Sequence, residues 1–303
     1  APTAKPSLAL VSPLPPEHSG IADYSAELVL ELEKHYAVEL VLTPGVTPDA
    51  ALSRFPQRDV DYFMRHGAGY DRVLYHFGNS NAHKHMFALL QRHPGTVVLH
   101  DFFLSGVLDN MEREDDLPQA YLEALYASHG YTGLRFHAEH GRNPSIWEYP
   151  CNKAVLDGAA GVIVHGDFSR RLAEQWYGPG AADGWRTIPL LRGQVAHDAD
   201  RQAARQAARA RLGVAEGDYV VASFGMLGPT KLNHRLLDAF LASPLAADPH
   251  CKLVFVGAND PGQYGVELLR KIAASAASAR IRITGFVSAD DYQHWLAASD
   301  CAV

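Results

Sequence analysis

Short apolar runs bounded by turn residues alternate with helical patterns along nearly the whole chain, and few folds accommodate that alternation. Ser7–Ser12 (SLALVS), Val38–Leu42, Arg72–His76 (RVLYH), Thr96–His100 (TVVLH) and Gly161–His165 (GVIVH) read as strands. Helical periodicity runs from Ile21 to about His35, through Met86–Leu90, and from Phe168 to Trp176. The run TVVLH is continuous and apolar, as a strand buried on both faces should be. Repeated strand–helix units of this kind build a parallel sheet covered by helices on both faces. The pattern pauses at Ile188–Gly193 and restarts: helix Arg201–Leu212, strand Tyr219–Phe224, helix Leu232–Leu241, strand Lys252–Val256, helix Val266–Ala274, strand Arg280–Ile283 and helix Asp290–Ala298. With 303 residues and roughly 100–200 per domain, the expectation is two α/β domains, residues 1–192 and 193–303. Asp300–Val303 reads as the opening of another buried strand with nothing after it, which predicts a second domain cut short.

Charge narrows the partners. Against 27 Lys+Arg stand 34 Asp+Glu, a net charge of −7, and a chain this acidic is not a nucleic-acid binder. No apolar run approaches the roughly 18 residues that cross a bilayer, and Ala1–Pro6 lacks the apolar centre of a secretory signal. Cys151, Cys251 and Cys301 are odd in number and far apart, so they read as reduced thiols of a cytoplasmic protein. Arg201, Arg205 and Arg209 share one helical face and could meet anionic lipid heads at the inner face of a membrane; the acidic balance favours a solvated face instead.

In open parallel sheets ligands bind beyond the carboxyl ends of the strands, so the chemistry is sought in the loops there. Pro13–Gly20 leads into a helix, and Gly20 would let a phosphate reach backbone N–H groups at the helix's positive end, or is part of an ordinary proline-rich turn. His100-Asp101 follows the most buried strand. The pair could hydrogen-bond a sugar or share a proton; the plainer alternative makes Asp101 a helix cap and His100 a packed edge residue. Phe224-Gly225-Met226-Leu227-Gly228-Pro229-Thr230-Lys231 is again strand, glycine loop and helix, with Lys231 placed to neutralise a diphosphate. Its spacing is not that of a P-loop. Gly285, followed by Phe286 and Val287, follows a short strand and could admit a flat base against the backbone.

Other features carry less. His76, His83 and His85 have no carboxylate or cysteine to complete a metal site, and the expectation is no metal. Gly67-Ala68-Gly69 precedes a strand, which fails the dinucleotide context and makes a nicotinamide-dependent dehydrogenase a poor reading. No GxSxG elbow is present.

Taken together, the four loops resemble retaining glycosyltransferases of the GT-B fold, family 4. SPLPPEHSGIADYSAELV resembles the family's N-terminal loop and helix, which implies Gly20 near the donor diphosphate. VVLHDFF is similar to the strand-end histidine segment that lines the sugar and assists transfer, implying His100. VVASFGMLGPTKLNHRLLDAF resembles the donor-domain loop with its diphosphate-binding lysine, implying Lys231. ITGFVSADDYQHWLAASD resembles the base-contacting segment, implying Gly285, Phe286 and Val287.

The resemblance implies two Rossmann-like domains, an acceptor side followed by a donor side. It also implies a UDP- or GDP-sugar donor, a saccharide or lipid-linked saccharide acceptor in polysaccharide biosynthesis, and no cofactor or metal. Two departures stand out. Where the family has a basic residue after the loop glycine this chain has Met226, leaving Lys231 and backbone dipoles, with Lys153 and Arg192 as substitute cations. The family's Glu-x7-Glu segment lies beyond Val303. A non-catalytic nucleotide-sugar-binding module, or another GT-B enzyme such as a sugar-nucleotide epimerase, is the alternative. The helical stretch 103–158, with His137, His140, Trp147 and Glu148, either shapes an acceptor pocket or packs.

Overall fold

Alternate residues of the first strand, β1 (Ser7–Val11), enter opposite cores: Ala9 and Val11 one, Leu8 and Leu10 the other. Burial on both faces is what the unbroken apolar run required. The computed structural model describes residues 4–114, 117–190 and 198–303, with side chains from Arg201 onward in the last stretch, and it divides into two units at Gly193/Gln194.

In the first unit β1 is followed by α1 (Gly20–Leu32), β2 (Ala37–Val41), β3 (Gln57–Arg58), α2 (Val60–His66), β4 (Arg72–Phe77), α3 (Met86–Arg92) and β5 (Thr96–Leu99). Four helices intervene, α4 (Ser105–Arg113), α5 (Ala120–His140), α6 (Arg142–Glu148) and α7 (Lys153–Gly158). Then come β6 (Gly161–Val164), α8 (Asp167–Tyr177) and β7 (Arg186–Thr187). The strands pair in parallel in the order β3-β2-β1-β4-β5-β6-β7. Chain direction across the sheet reverses between β1 and β4, which opens a crevice beyond their carboxyl ends. Ser19 caps α1 by accepting from Ile21 N at 3.2 Å, and Asp59 caps α2 from Tyr62 N at 2.6 Å. Gly130, at φ +60° and ψ −152°, breaks α5; a residue with a Cβ is strained in that conformation.

The second unit runs α9 (Asp198–Leu212), β8 (Tyr219–Phe224), α10 (Asn233–Ala242), β9 (Cys251–Val256), α11 (Gln263–Ala273), β10 (Ile281–Ile283), α12 (Ala289–Ala298) and β11 (Cys301–Ala302). Its parallel order is β10-β9-β8-β11, so here the reversal falls beside β8. The expected strand at Asp300–Val303 is present: Cys301 and Ala302 pair in parallel with Val221 and Ala222.

The basic face of α9 overturns one expectation. Arg205 bonds the carbonyls of Ala298 and Ser299 and pairs with Asp300, while Arg209 is 7% exposed. These cations face the C-terminal end of α12, where the helix dipole and its unpaired carbonyls favour positive charge. Arg209 is therefore inside the protein and Arg205 half-buried, with both guanidiniums committed to the end of α12 and Asp300.

Candidate functional site

In the first unit, three neighbouring strands each carry a histidine at or just past the carboxyl end: His76 in β4, His100 after β5 and His165 after β6. Extending the β4–β5 and β5–β6 registers past Phe77↔Leu99 and Val98↔Ile163 sets position 78, His100 and His165 level. His76, two residues before position 78, points to the same face. The rings form a single file. His76 Nδ1 lies 2.9 Å from His100 Nε2, His100 Nδ1 lies 3.1 Å from His165 Nε2, and His165 Nδ1 lies 2.9 Å from the Ile188 carbonyl. Tyr24, one turn into α1 from Gly20, roofs all three at centroid distances of 5.7, 5.3 and 5.4 Å.

Burial keeps His76 and His100 neutral. It lowers His76 far below the ordinary imidazole value, helped by His100, His165 and His83. The same desolvation brings His100 down to about 3 and His83 and His85 to about 4. Both ring nitrogens of His100 are thereby committed inside the protein, and neither is left for a sugar in this arrangement.

Asp101 sits exposed beside His100 and does not cap α4. Its Oδ2 accepts from Asn79 N at 2.8 Å, and the Asn79 side chain caps α4 in its place, accepting from Val107 N at 2.8 Å. Gly20 is exposed as the first residue of α1, and a Cβ there would meet nothing within 4 Å, so the backbone is open to an approaching group.

In the second unit a candidate site is built at the ends of β8, β9 and β10. Gly225 N donates to Val256 O (3.0 Å), Leu227 N to Ala258 O (2.8 Å), and Gly257 N to Thr284 Oγ1 (3.1 Å), which in turn donates to Gly285 O (2.8 Å). The loops pass so closely that a Cβ on Gly257 would lie 2.0 Å from Gly225 O. Gly225 and Gly285 take φ of +113° and +78°, where L-residues are disfavoured. Met226, 58% exposed, lies between two bonded amides, and its own N–H makes no hydrogen bond among the described residues. Phe286 is also 58% exposed, and Val287 packs against the core of this unit.

Lys231 lies in a 3₁₀ turn, Pro229–Lys231, and the left-handed Leu232 (φ +54°) separates it from α10. The lysine is exposed and makes no ion pair among the described residues. Among the described residues this site therefore presents an unpaired amide and an uncommitted cation, which suits a phosphate.

Of the substitute cations, Lys153 is bound to Asp157, and Arg192 lies outside the described residues. His76, His83 and His85 each keep a buried Nε2 without a partner. They do not form a metal-sized cluster. Among the described residues the one such group is Asp290, Asp291 and His294, within 4.8 Å of one another, and Arg211 pairs with both carboxylates at 3.5 and 3.0 Å.

Sequence reasoning missed Tyr24, His76, His165, Asn79, Gly257 and Thr284. The signal for the imidazole file was present, because RVLYH, TVVLH and GVIVH all end on histidine.

At the level of sequence the chain matches no family model and no curated protein. Its architecture is nonetheless that of solved structures. Anabaena HepE in complex with UDP-glucose superposes with a TM-score of 0.62 at 17% identity, over 98% of this chain and 73% of that one. The HepE complex with UDP and glucose gives 0.62 at 18% identity with the same coverage. WaaG, a glycosyltransferase involved in lipopolysaccharide biosynthesis, gives 0.54 at 14% identity over 97% of this chain and 74% of that one. The fold is GT-B. Among the described residues no helix is long and apolar enough to cross a membrane.

Proposed function

We propose that this protein is a nucleotide-sugar-dependent glycosyltransferase that moves a sugar with retention to a saccharide or lipid-linked saccharide in polysaccharide biosynthesis. The observation that carries the reading is a Lys231 and a Met226 amide that have no partner among the described residues, at the reversal point of the second sheet. The likeness to HepE, solved with UDP and UDP-glucose, supports it.

In this reading the second unit holds the nucleotide. The base lies along Gly285-Phe286-Val287, and the diphosphate accepts from the Met226 amide and Lys231, with Gly225 supplying the turn. Charge building on the leaving diphosphate is stabilised by these preorganised donors, so the mechanism proposed calls on no metal or cofactor. Gly20, Asp101 and His100 belong to the sugar and acceptor side. Asp101 accepts from a sugar hydroxyl, His100 backs the sugar as an uncharged ring, and the leaving phosphate takes the acceptor proton. The protein works in the cytoplasm, at the inner face of a membrane when its acceptor is lipid-linked.

Calorimetric titration with UDP and with GDP tests this. One nucleotide should bind saturably, and Lys231→Ala should weaken it about tenfold or more, the worth of a charge-assisted hydrogen bond. Lys153→Ala, whose cation is already paired, should leave binding unchanged. Absence of binding to either nucleotide, or equal binding by Lys231→Ala, overturns the reading.

A further inference from the structure

The hydrogen-bond order in the imidazole file has a direction that the geometry fixes. The Ile188 carbonyl can only accept, so His165 Nδ1, 2.9 Å away, carries a proton. With that proton on Nδ1, His165 offers its bare Nε2 as the acceptor for His100 Nδ1–H at 3.1 Å. His100 Nε2 is bare in turn and accepts from His76 Nδ1–H at 2.9 Å. The file ends at His76 Nε2, buried without a partner. The opposite order would set two lone pairs against each other at Ile188 and bury an unpartnered N–H at His76; buried orphan donors are rarer than orphan acceptors.

We propose that His165 and His76 are positioning residues acting through His100: anchored on the Ile188 carbonyl, they lock His100 as a neutral ring protonated on Nδ1 and withhold it from acid–base exchange near neutral pH. His100 is thus a rigid, uncharged surface under Tyr24. The groups facing the file agree with this. From α1 comes the neutral Tyr24 ring, and from the loop after β4 comes His83, held the same way round by its Nδ1 contact to the Ser80 carbonyl at 3.2 Å. The carboxylates at hand are spoken for: Asp101 accepts from Asn79 N and Asp167 from Thr187 Oγ1.

The tautomer assignment rests on geometry alone. Its bearing on turnover rests on the transferase reading, and the first measurement below is blind to that reading. Long-range ¹H–¹⁵N correlation spectra of the full chain report which imidazole nitrogen is protonated. At pH 8 His76, His100 and His165 should all carry a proton on Nδ1, and His76 and His100 should stay so down to about pH 5, well clear of the ordinary imidazole value near 6.5.

His165→Ala removes the acceptor of His100 Nδ1–H. His100 should then switch to Nε2–H or titrate near pH 6.5. His165→Gln, whose amide oxygen can stand where Nε2 stood, should keep His100 on Nδ1. With a donor that turns over, the alanine variant should lower kcat by up to about 100-fold, the scale of a misplaced catalytic surface. It should also add an acid limb to the pH profile that the glutamine variant lacks. An Nε2–H His100 in the wild type overturns the proposal, and so does an alanine variant with an unchanged tautomer. Should the alanine variant not fold, the wild-type spectrum alone decides.

Discussion

Arg209 Nε donates across 3.1 Å to the Ala298 carbonyl at the C-terminal end of α12, from a side chain almost wholly buried in α9. Its other donors reach the carbonyls of Ala215, Glu216 and Asp218 and the Asp300 carboxylate. These are five acceptors for the five N–H bonds of a guanidinium. Arg209→Met should cost about 3–5 kcal/mol, as a half-broken buried pair does. Arg209→Lys should recover little, having no planar fork. Hydrogen exchange of the β8 and β9 amides measures the loss; protection within about 0.5 kcal/mol of wild type, the level of an ordinary surface change, would refute the role.

That bond also shows where sequence reading ran out. The strands of both sheets were legible because burial on both faces leaves an unbroken apolar run: Tyr219–Phe224 is found at its expected bounds, and Thr96–Leu99 within one residue. β3 and β7, two residues each, are too short to show a period. The α9 arginines have the spacing of a solvated face, and only the tertiary position of α12 turns them inward. On the site, the glycines that take positive φ were readable at Gly225 and Gly285, since a loop after a strand calls for them. Gly257 was not, because its constraint is another loop passing close by. Three histidines at three strand ends are separated by tens of residues, and only the parallel register makes them neighbours.

Gly257→Ala tests that close passage. The new Cβ would need the space 2.0 Å from Gly225 O, so the Gly225 loop must shift away from the end of β9. Since a displacement near 1 Å in a binding surface can cost about 100-fold, affinity for the proposed nucleotide, UDP or GDP, should fall steeply while the helix and sheet content stays unchanged. Gly228→Ala, with open space around its Cβ, is the matched control and should keep its structure. Unimpaired affinity in Gly257→Ala would show that the nucleotide does not depend on this loop.

Acid should open the first unit. In the folded protein burial lowers His83 and His85 to about 4, His100 to about 3 and His76 well below its ordinary value, against about 6.5 in the unfolded chain. Above pH 6.5 both states are neutral and the stability is complete. As pH falls from 6.5 toward 4 the unfolded chain takes up protons that the folded one refuses. Each histidine then removes up to about 1.4 kcal/mol per pH unit. Urea midpoints at pH 7.5, 6.0 and 5.0 should fall progressively, with net proton uptake on unfolding at the lower values. A midpoint independent of pH over that range would mean that these rings are not held neutral.

Asn79 joins the loop after β4 to α4, and its substitution separates two roles. The side-chain Oδ1 caps Val107 N, while the backbone N–H serves Asp101. Leu104, at the N-cap position itself, makes no side-chain cap bond. Asn79→Ala should therefore cost about 1–2 kcal/mol, the range for losing a capping side chain, yet keep the bond to Asp101. Asn79→Asp retains an acceptor and brings negative charge to the helix N-terminus, which is favourable by about 0.3–1 kcal/mol before its repulsion with Asp101 is counted. The aspartate variant should unfold at a higher urea concentration than the alanine variant, and the gap should narrow with added salt. Equal midpoints for the two variants would show that α4 does not depend on this cap.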